Sequence, residues 1–158
     1  MCDRRRPVSK CEVYDTTTNK YCHLTDLPRM VVNFGLAAVG AKVYVVGGMD
    51  PLTFETKATV MVYDLDTDTW DTEFPSLLHP RKSCAVFYDG MTLYAVAGAS
   101  DDLEPLSTCE RFDVMTRQWQ VVDNCPRAFA ASSAAVVANR PVRLMANYRE
   151  FGHSTTWS

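Results

Sequence analysis

Short runs of apolar residues alternate with polar punctuation along most of the chain. The runs are rich in Val, Tyr, Phe and Ala, and Gly, Pro, Asp or Asn interrupts them. No long segment keeps the apolar spacing of about 3.6 residues that an amphipathic helix requires. Because β-branched and aromatic runs bounded by turn-forming residues are typical of short strands, the pattern predicts an all-β chain.

The same pattern returns at a fixed interval. The nine residues that begin at Val13, Val62 and Arg111 read VYDTTTNKY, VYDLDTDTW and RFDVMTRQW, and successive copies start 49 positions apart. A second run, GAKVYVVGG from Gly40, returns 50 positions later as GMTLYAVAG from Gly90. Self-similarity at one period of this length indicates a repeat architecture.

A Pro-Arg pair opens each unit with looser spacing, at Pro28-Arg29, Pro80-Arg81 and Pro126-Arg127. Each unit then predicts four short strands. The first follows Pro-Arg, the second is the Tyr-containing run, the third ends at Tyr-Asp or Phe-Asp, and the fourth begins near a Trp. The first strands are predicted over residues 31–39, 83–88 and 130–137.

These landmarks, taken in order, resemble the kelch repeat. The residues that carry the resemblance are Pro28-Arg29, Val43 to Gly48, Tyr63-Asp64 and Trp70 in one unit, and Pro80-Arg81, Leu93 to Gly98, Phe112-Asp113 and Trp119 in the next. The resemblance implies one four-stranded antiparallel blade per repeat, set radially as in a β-propeller. Two departures stand out, because Ala97 replaces the first of two glycines and Tyr21 replaces the tryptophan.

The repeat divides the chain into five predicted segments. They are the outer strands of a partial blade (1–28), two kelch repeats (29–79 and 80–126), a partial, degenerate repeat (127–146) and a non-kelch tail (147–158). Closed propellers take about four to eight blades, and these segments amount to about three. We therefore expect an incomplete ring that belongs to a larger propeller, with self-association of two chains as the alternative.

Composition narrows the functional classes. Sixteen basic and 19 acidic residues give a formal net charge of −3, so no nucleic acid or anionic membrane surface is expected as partner. The sequence contains no apolar stretch of about 18 residues, so no membrane-spanning helix is expected. The six cysteines form no C-x-x-C pair and follow no secretory signal, so we expect reduced thiols and a cytoplasmic location, with a disulfide as the lesser alternative.

Candidate chemistry is sparse. The run Asp64-x-Asp66-x-Asp68 opens like a calcium loop, but Thr69 and Pro75 occupy the positions where such a loop needs Gly and Glu. The run therefore predicts an Asx-rich turn between strands. The three histidines share no ligand spacing. We expect no metal, no cofactor and no catalytic residue, with a propeller-based oxidase or hydrolase as the alternative.

The resemblance implies a protein-interaction module that binds a protein or peptide through the loop before the first strand and the loop between the second and third strands. The residues predicted to contact a partner are Arg29, Asn33, Asp50, Phe54, Arg81, Ser83, Asp101, Asp102 and Arg127. Arginines in these loops would suit an acidic partner, because guanidinium binds carboxylate in bidentate fashion. The resemblance further implies the substrate-recognition part of a cullin-based ubiquitin ligase adaptor. A truncated product without independent function is the other alternative.

Overall fold

The computed structural model describes residues 8–122, 124–130, 132–135 and 143–146, and every regular element in these ranges is a β-strand. The predicted non-kelch tail, 147–158, lies outside the described residues. The strands are β1 (Cys11–Asp15), β2 (Lys20–Leu24), β3 (Gly35–Val39), β4 (Lys42–Val46), β5 (Val60–Asp64), β6 (Thr69–Asp71), β7 (Ala85–Tyr88), β8 (Leu93–Val96), β9 (Cys109–Asp113), β10 (Gln118–Val122), β11 (Ser132–Ala135) and β12 (Arg143–Ala146).

The strands form four antiparallel sheets in chain order. We call them blade I (β1–β2), blade II (β3–β6), blade III (β7–β10) and blade IV (β11–β12). In blades II and III the spatial order of the strands is their order in sequence, and the first strands β3, β7 and β11 lie beside one another. The predicted all-β architecture of four-stranded antiparallel blades, not closed into a ring, is confirmed for the part of the chain that the structure describes.

The turn between the third and fourth strands is built in the same way in three blades. Asp64 Oδ1 accepts hydrogen bonds from the backbone N–H groups of Asp66 (3.0 Å) and Thr67 (3.3 Å). Asp15 and Asp113 hold the equivalent turns through the same type of bond. The run of aspartates after β5 is therefore the Asx turn that the sequence predicts.

One face of blade II packs against one face of blade III. The apolar core between blades II and III draws on both sheets and includes Val46, Val60, Val86 and Phe112. The fourth strands tie each blade to the connection that leaves the previous one. Trp70 Nε1 donates to the carbonyl oxygen of Thr25 (3.0 Å), and Trp119 Nε1 donates to that of Pro75 (2.8 Å). These two tryptophans therefore fix the fourth strands of blades II and III against the preceding connections.

The structure corrects the equivalence of the three Pro-Arg pairs. Val32 forms a β-bridge with Met49, and Lys82 forms the equivalent bridge with Ala99. Both residues of the second bridge lie fifty positions after those of the first. Arg81 therefore occupies the position of Val31, two residues beyond that of Arg29. The Gly48 N–H donates to the Arg81 carbonyl and the Gly98 N–H to that of Phe129, which gives Phe129 the same position in blade IV.

Candidate partner-binding face

Two kinds of connection meet at one end of the blades, because antiparallel strands bring the second-to-third loop of a blade to the same end as its exit to the next blade. We call this end the loop face. It is formed by residues 25–34, 47–59, 72–84, 97–108 and 124–130. The tight turns inside the hairpins lie at the opposite end, which we call the turn face.

The second-to-third loop of blade II is folded by Asp50. Its Oδ1 accepts the N–H of Leu52 at 2.8 Å and of Thr53 at 3.2 Å, and these bonds hold the pKa of the Asp50 carboxyl below its ordinary value. The loop leaves the side chains of Leu52 and Phe54 80% and 68% exposed. Phe54 has a left-handed backbone (φ +61°), which is an outlier for a bulky residue and costs about 1–3 kcal/mol.

The matching loop of blade III repeats the exposed apolar side chain on a left-handed backbone. Leu103 takes the place of Phe54, with the same φ of +61° and a side chain that is 72% exposed. Asp101 Oδ1 accepts the backbone N–H of Thr56 in the loop of blade II at 2.5 Å, and the hydrogen bonds from Thr56 lower the pKa of the Asp101 carboxyl. Asp101 thus joins the two loops, whereas the side chain of Asp102 is exposed to solvent.

Further predicted contact residues lie on the connections between blades. Arg29 and Arg127 are exposed at equivalent positions, and blade III has His79 at that place. Asn33 and Ser83 share a left-handed backbone, and the Ser83 N–H donates to the Asn33 carbonyl at 2.6 Å. The Asn33 side chain is exposed and that of Ser83 is half-buried.

One depression on the loop face joins the two kinds of connection in blade II. Its volume is about 370 Å³, and Arg29, Asp50, Leu52 and Lys57 are among the residues that line it. The structure thus brings the predicted residues Arg29 and Asp50 together. It also adds Leu52, which was not predicted, because an isolated leucine in a polar loop carries no periodic signal.

Arg81 differs from its expectation as a partner-contacting residue. Its side chain is fully buried, and Nη2 lies 2.5 Å from Oε1 of Glu110, which is also fully buried. Nη1 donates to the carbonyl oxygens of Ala97 and Thr108 at 2.9 Å each. The guanidinium is therefore committed to its own blade. Glu110 was missed, because its position is apolar in blade II, where Met61 occupies it.

The surface chemistry of the loop face is mixed. The second-to-third loops of blades II and III carry five carboxylates and one lysine over residues 49–57 and 99–106, a formal charge of −4. Arg29 and Arg127 lie on the connections beside them. The face can bind through exposed apolar side chains and charges. Among the described residues, no group of three or more His, Cys, Asp or Glu side chains is gathered as metal ligands.

The described ranges contain no candidate for a membrane-spanning helix. Five cysteines in the described ranges are free thiols: Cys11, Cys22, Cys84, Cys109 and Cys125. The Cys84 side chain is enclosed between blades II and III, and burial raises the pKa of its thiol to about 11. A buried neutral thiol of this kind packs as a small apolar group.

Comparison with known proteins supports the repeat assignment. A family model described as "Kelch motif" matches residues 30–73 and 80–126, which contain blades II and III. The human "Kelch repeat and BTB domain-containing protein 13" is 36% identical over 107 residues, 67% of this chain and 23% of that protein. "Kelch domain-containing protein 8B" of Mus musculus is 30% identical over 138 residues, 81% of this chain and 39% of that protein.

The human "Kelch-like protein 23" is 26% identical over 132 residues, which are 83% of this chain and 23% of that protein. The chain therefore spans about a quarter of the length of the kelch-like relatives that it matches. The four-stranded blades repeat every 49 or 50 residues and are joined by tryptophan hydrogen bonds, and the kelch motif matches both complete blades. The chain therefore belongs to the kelch-repeat family.

Proposed function

We propose that the loop face binds a protein partner, with Leu52, Phe54 and Leu103 as apolar anchors. The observation that carries the proposal is the shared backbone of Phe54 and Leu103. Two successive blades hold a bulky apolar side chain out to solvent in a left-handed conformation that costs free energy. Exposed apolar groups on a rigid scaffold are suited to contact with another protein. Membership of the kelch-repeat family also supports a function in protein interaction.

The test compares two faces that both expose apolar side chains. Phe54→Ser/Leu103→Ser alters the loop face, whereas Met91→Ser/Met115→Ser alters the turn face, where these methionines are 83% and 92% exposed. Proteins cross-linked to the wild-type chain in cells are identified, and the affinity of one purified partner is measured for each variant. We expect about tenfold or greater weakening for the loop-face variant alone. Equal binding by both variants would refute the assignment.

We further propose that the partner presents an acidic segment to Arg29 and Arg127. Both guanidinium groups are exposed, and they stand at equivalent places on connections two blades apart. Arg29→Glu/Arg127→Glu should then abolish binding, while Arg111→Glu/Arg117→Glu, a matched charge reversal outside these connections, should preserve it. If added salt weakens binding of the wild type but the Arg29 and Arg127 variant binds as well as the wild type, the segment contacts other residues.

We propose that the complete protein serves as the substrate-recognition part of a cullin-based ubiquitin ligase. The support is that a relative is named for a BTB domain joined to kelch repeats. The partner captured by the loop face should then accumulate when cullin neddylation is inhibited. It should not accumulate further when the chromosomal copy carries Phe54→Ser/Leu103→Ser. If neither treatment changes the half-life of the partner, the adaptor proposal is wrong and a scaffold function is favoured.

We also propose a cytoplasmic location, self-association through sheet edges and a non-enzymatic function. The free thiols support the first proposal. In the described residues, β1 pairs only with β2, which leaves one backbone edge available for another strand. Light scattering at increasing protein concentration tests self-association. Metal analysis of the purified chain tests the oxidase alternative, because stoichiometric copper would favour it.

A further inference from the structure

Two thiols approach each other where blade III leads into the connection to blade IV. Cys109 lies on β9 and Cys125 follows β10, sixteen residues later, and their sulfur atoms are 3.2 Å apart. The Cys125 N–H donates to the Ser107 carbonyl at 2.7 Å, so the backbone holds the two segments side by side. Cys109 is buried and Cys125 is half-buried. The pair is therefore aligned, and one member is reachable from solvent.

The equivalent pairs in blades I and II contain at most one sulfur. Blade II has Val60 and Leu77, both in the core between blades II and III. Blade I has Cys11 and Leu27, where Leu27 donates its N–H to the Ser9 carbonyl as Cys125 does to that of Ser107. The packing site accepts a Val and Leu pair, so its shape does not require two cysteines. What distinguishes blade III is therefore the thiol chemistry of the pair and not the way the pair packs.

We propose that Cys109 and Cys125 are a modification site that forms a reversible intramolecular disulfide with a small-molecule disulfide, such as oxidised glutathione, as the oxidant. The Cys125 thiolate attacks one sulfur of the oxidant, forms a mixed disulfide and releases one small thiol. The Cys109 thiolate then attacks the Cys125 sulfur and displaces the second small thiol. Two protein thiols are oxidised, one small disulfide is reduced to two thiols, and the two protein protons pass to them.

The environment of the pair slows its reaction with a small disulfide. Burial and the hydrogen bond with Cys109 raise the pKa of the Cys125 thiol to about 12. Since the thiolate is the attacking species, exchange is slow at neutral pH and becomes faster as the pH rises. The site therefore responds to sustained oxidation of the small-thiol pool and not to a brief pulse.

The bond would fix part of the loop face. Arg127 lies two residues after Cys125, on a connection that is otherwise anchored to blade III by backbone hydrogen bonds such as Phe129 N–H to the Leu106 carbonyl at 3.3 Å. Closing a loop of this length restricts the unfolded chain and should raise the melting temperature by roughly 10 °C. The chemistry of the site does not depend on the proposed partner binding.

The experiment oxidises the full chain in glutathione buffers of increasing oxidised fraction at pH 8. Remaining thiols are alkylated, and the digest is read by mass spectrometry. We expect one cross-linked peptide that joins Cys109 to Cys125, a loss of about 2 Da for the two hydrogens, and reversal by dithiothreitol. The same treatment in strong denaturant controls for pairing that does not need the fold.

Matched variants make the result decisive. Cys109→Val/Cys125→Leu copies the Val60 and Leu77 pair of blade II. This variant should keep the melting temperature of the reduced protein, but it should lose both the cross-link and the rise in melting temperature on oxidation. Cys22→Ser, at an exposed thiol, should retain both. The proposal is overturned if oxidised glutathione modifies Cys22 while Cys109 and Cys125 remain alkylated. It is also overturned if Cys125 stops at the mixed glutathione disulfide, or if Cys109 pairs elsewhere in the folded chain.

Discussion

Blades II and III share four strands in one register but fill an equivalent interior site with opposite chemistry. Blade II places Val31 beside Val45 and Met61, all buried, in an apolar cluster. Blade III places Arg81 and Glu110 there, both fully buried, with 2.5 Å between Nη2 and Oε1. Taking two charges out of water costs several kcal/mol per ion, so the ion pair is not explained by stability.

The difference lies in what the connection before each first strand requires. Glu110 accepts the backbone N–H groups of Leu78 (2.7 Å) and His79 (3.0 Å), and its Oε1 lies 3.1 Å from His79 Nδ1. In blade II the position of Leu78 is held by Pro28, which has no N–H to satisfy. Proline in one blade and a buried carboxylate in the other are thus two ways to fix the same connection. We infer that the ion pair supplies geometry for the entry into blade III.

Breaking the ion pair from one side should have the largest effect. Glu110→Met, which installs the blade II residue, leaves the Arg81 charge buried without its partner and removes the acceptor of two backbone amides. We expect a loss of about 3–5 kcal/mol in the free energy of unfolding, measured by urea titration. Met61→Leu, a volume-conserving change at the matching site of blade II, should cost less than about 1.5 kcal/mol. Similar losses for both variants would mean that the two sites are energetically alike.

Replacing the whole arrangement should have the next largest effect, with the opposite sign. Leu78→Pro/Arg81→Val/Glu110→Met transfers the blade II solution to blade III, removing the charges and one of the two amides that needs an acceptor. Exchange of a buried ion pair for apolar residues is often neutral or stabilising by about 1–4 kcal/mol. The variant without Leu78→Pro should be less stable by about 1 kcal/mol, because a part-buried N–H loses its acceptor. If proline brings no gain, the connection is not anchored through this amide.

How much of this the sequence predicts depends on whether a feature repeats. The strands and the Asx turns follow from residues that return every 49 or 50 positions, and both were predicted. The hydrogen bonds of the tryptophans to the preceding connections were not. Arg81 was misplaced because the Pro-Arg dipeptide repeats in letters but not in register. The Pro-Arg dipeptide alone does not show whether the arginine side chain points inward. The β-bridge between Lys82 and Ala99 fixes the register of this segment and thereby the position of Arg81.

The loop face was predicted only in part, and the reason is physical. Loop residues are positioned by local hydrogen bonds and by contacts with the next blade, neither of which leaves a periodic pattern. The sequence placed Asp101 on the loop face, but not its bond to the Thr56 amide of the neighbouring blade. Nothing in the spacing of Cys109 and Cys125 shows that their sulfur atoms meet.

A smaller effect distinguishes the two strand ends that follow β4 and β8. Gly47 (φ +64°) and Ala97 (φ +56°) are equivalent, but a Cβ at position 47 would lie 2.2 Å from the Arg81 carbonyl oxygen. Gly47→Ala should therefore cost about 1–3 kcal/mol of unfolding free energy, since both the backbone and the contact are unfavourable. Ala97→Gly should change stability by at most about 1 kcal/mol. Urea titration of the two variants compares them directly, and equal costs would contradict the closer approach of chain in blade II.

The smallest effect concerns the carboxylates that open the two second-to-third loops. Asp50 bonds within its own loop, whereas Asp101 bonds to Thr56 of the preceding blade, and in both cases hydrogen bonds lower the pKa from 3.8. A lowered pKa means that the stabilisation is complete above the unfolded value and is lost as the pH falls through the folded one. The stability difference between wild type and Asp101→Asn should thus be constant above about pH 5 and shrink below it.

Only the Asp101 variant should also loosen the junction between the blades, because the Asp50 bonds do not cross it. Hydrogen exchange at the Thr56 amide, measured at pH 6 and pH 3, separates the two cases. Asp101→Asn should lower the protection factor of this amide at pH 6, and lowering the pH should lower that factor in the wild type, while Asp50→Asn should leave it unchanged at pH 6. The protection factor is the measure because intrinsic amide exchange itself slows at low pH. If Asp50→Asn accelerates exchange at Thr56 as much as Asp101→Asn does, the loops respond together and the contrast between an internal and a bridging carboxylate fails.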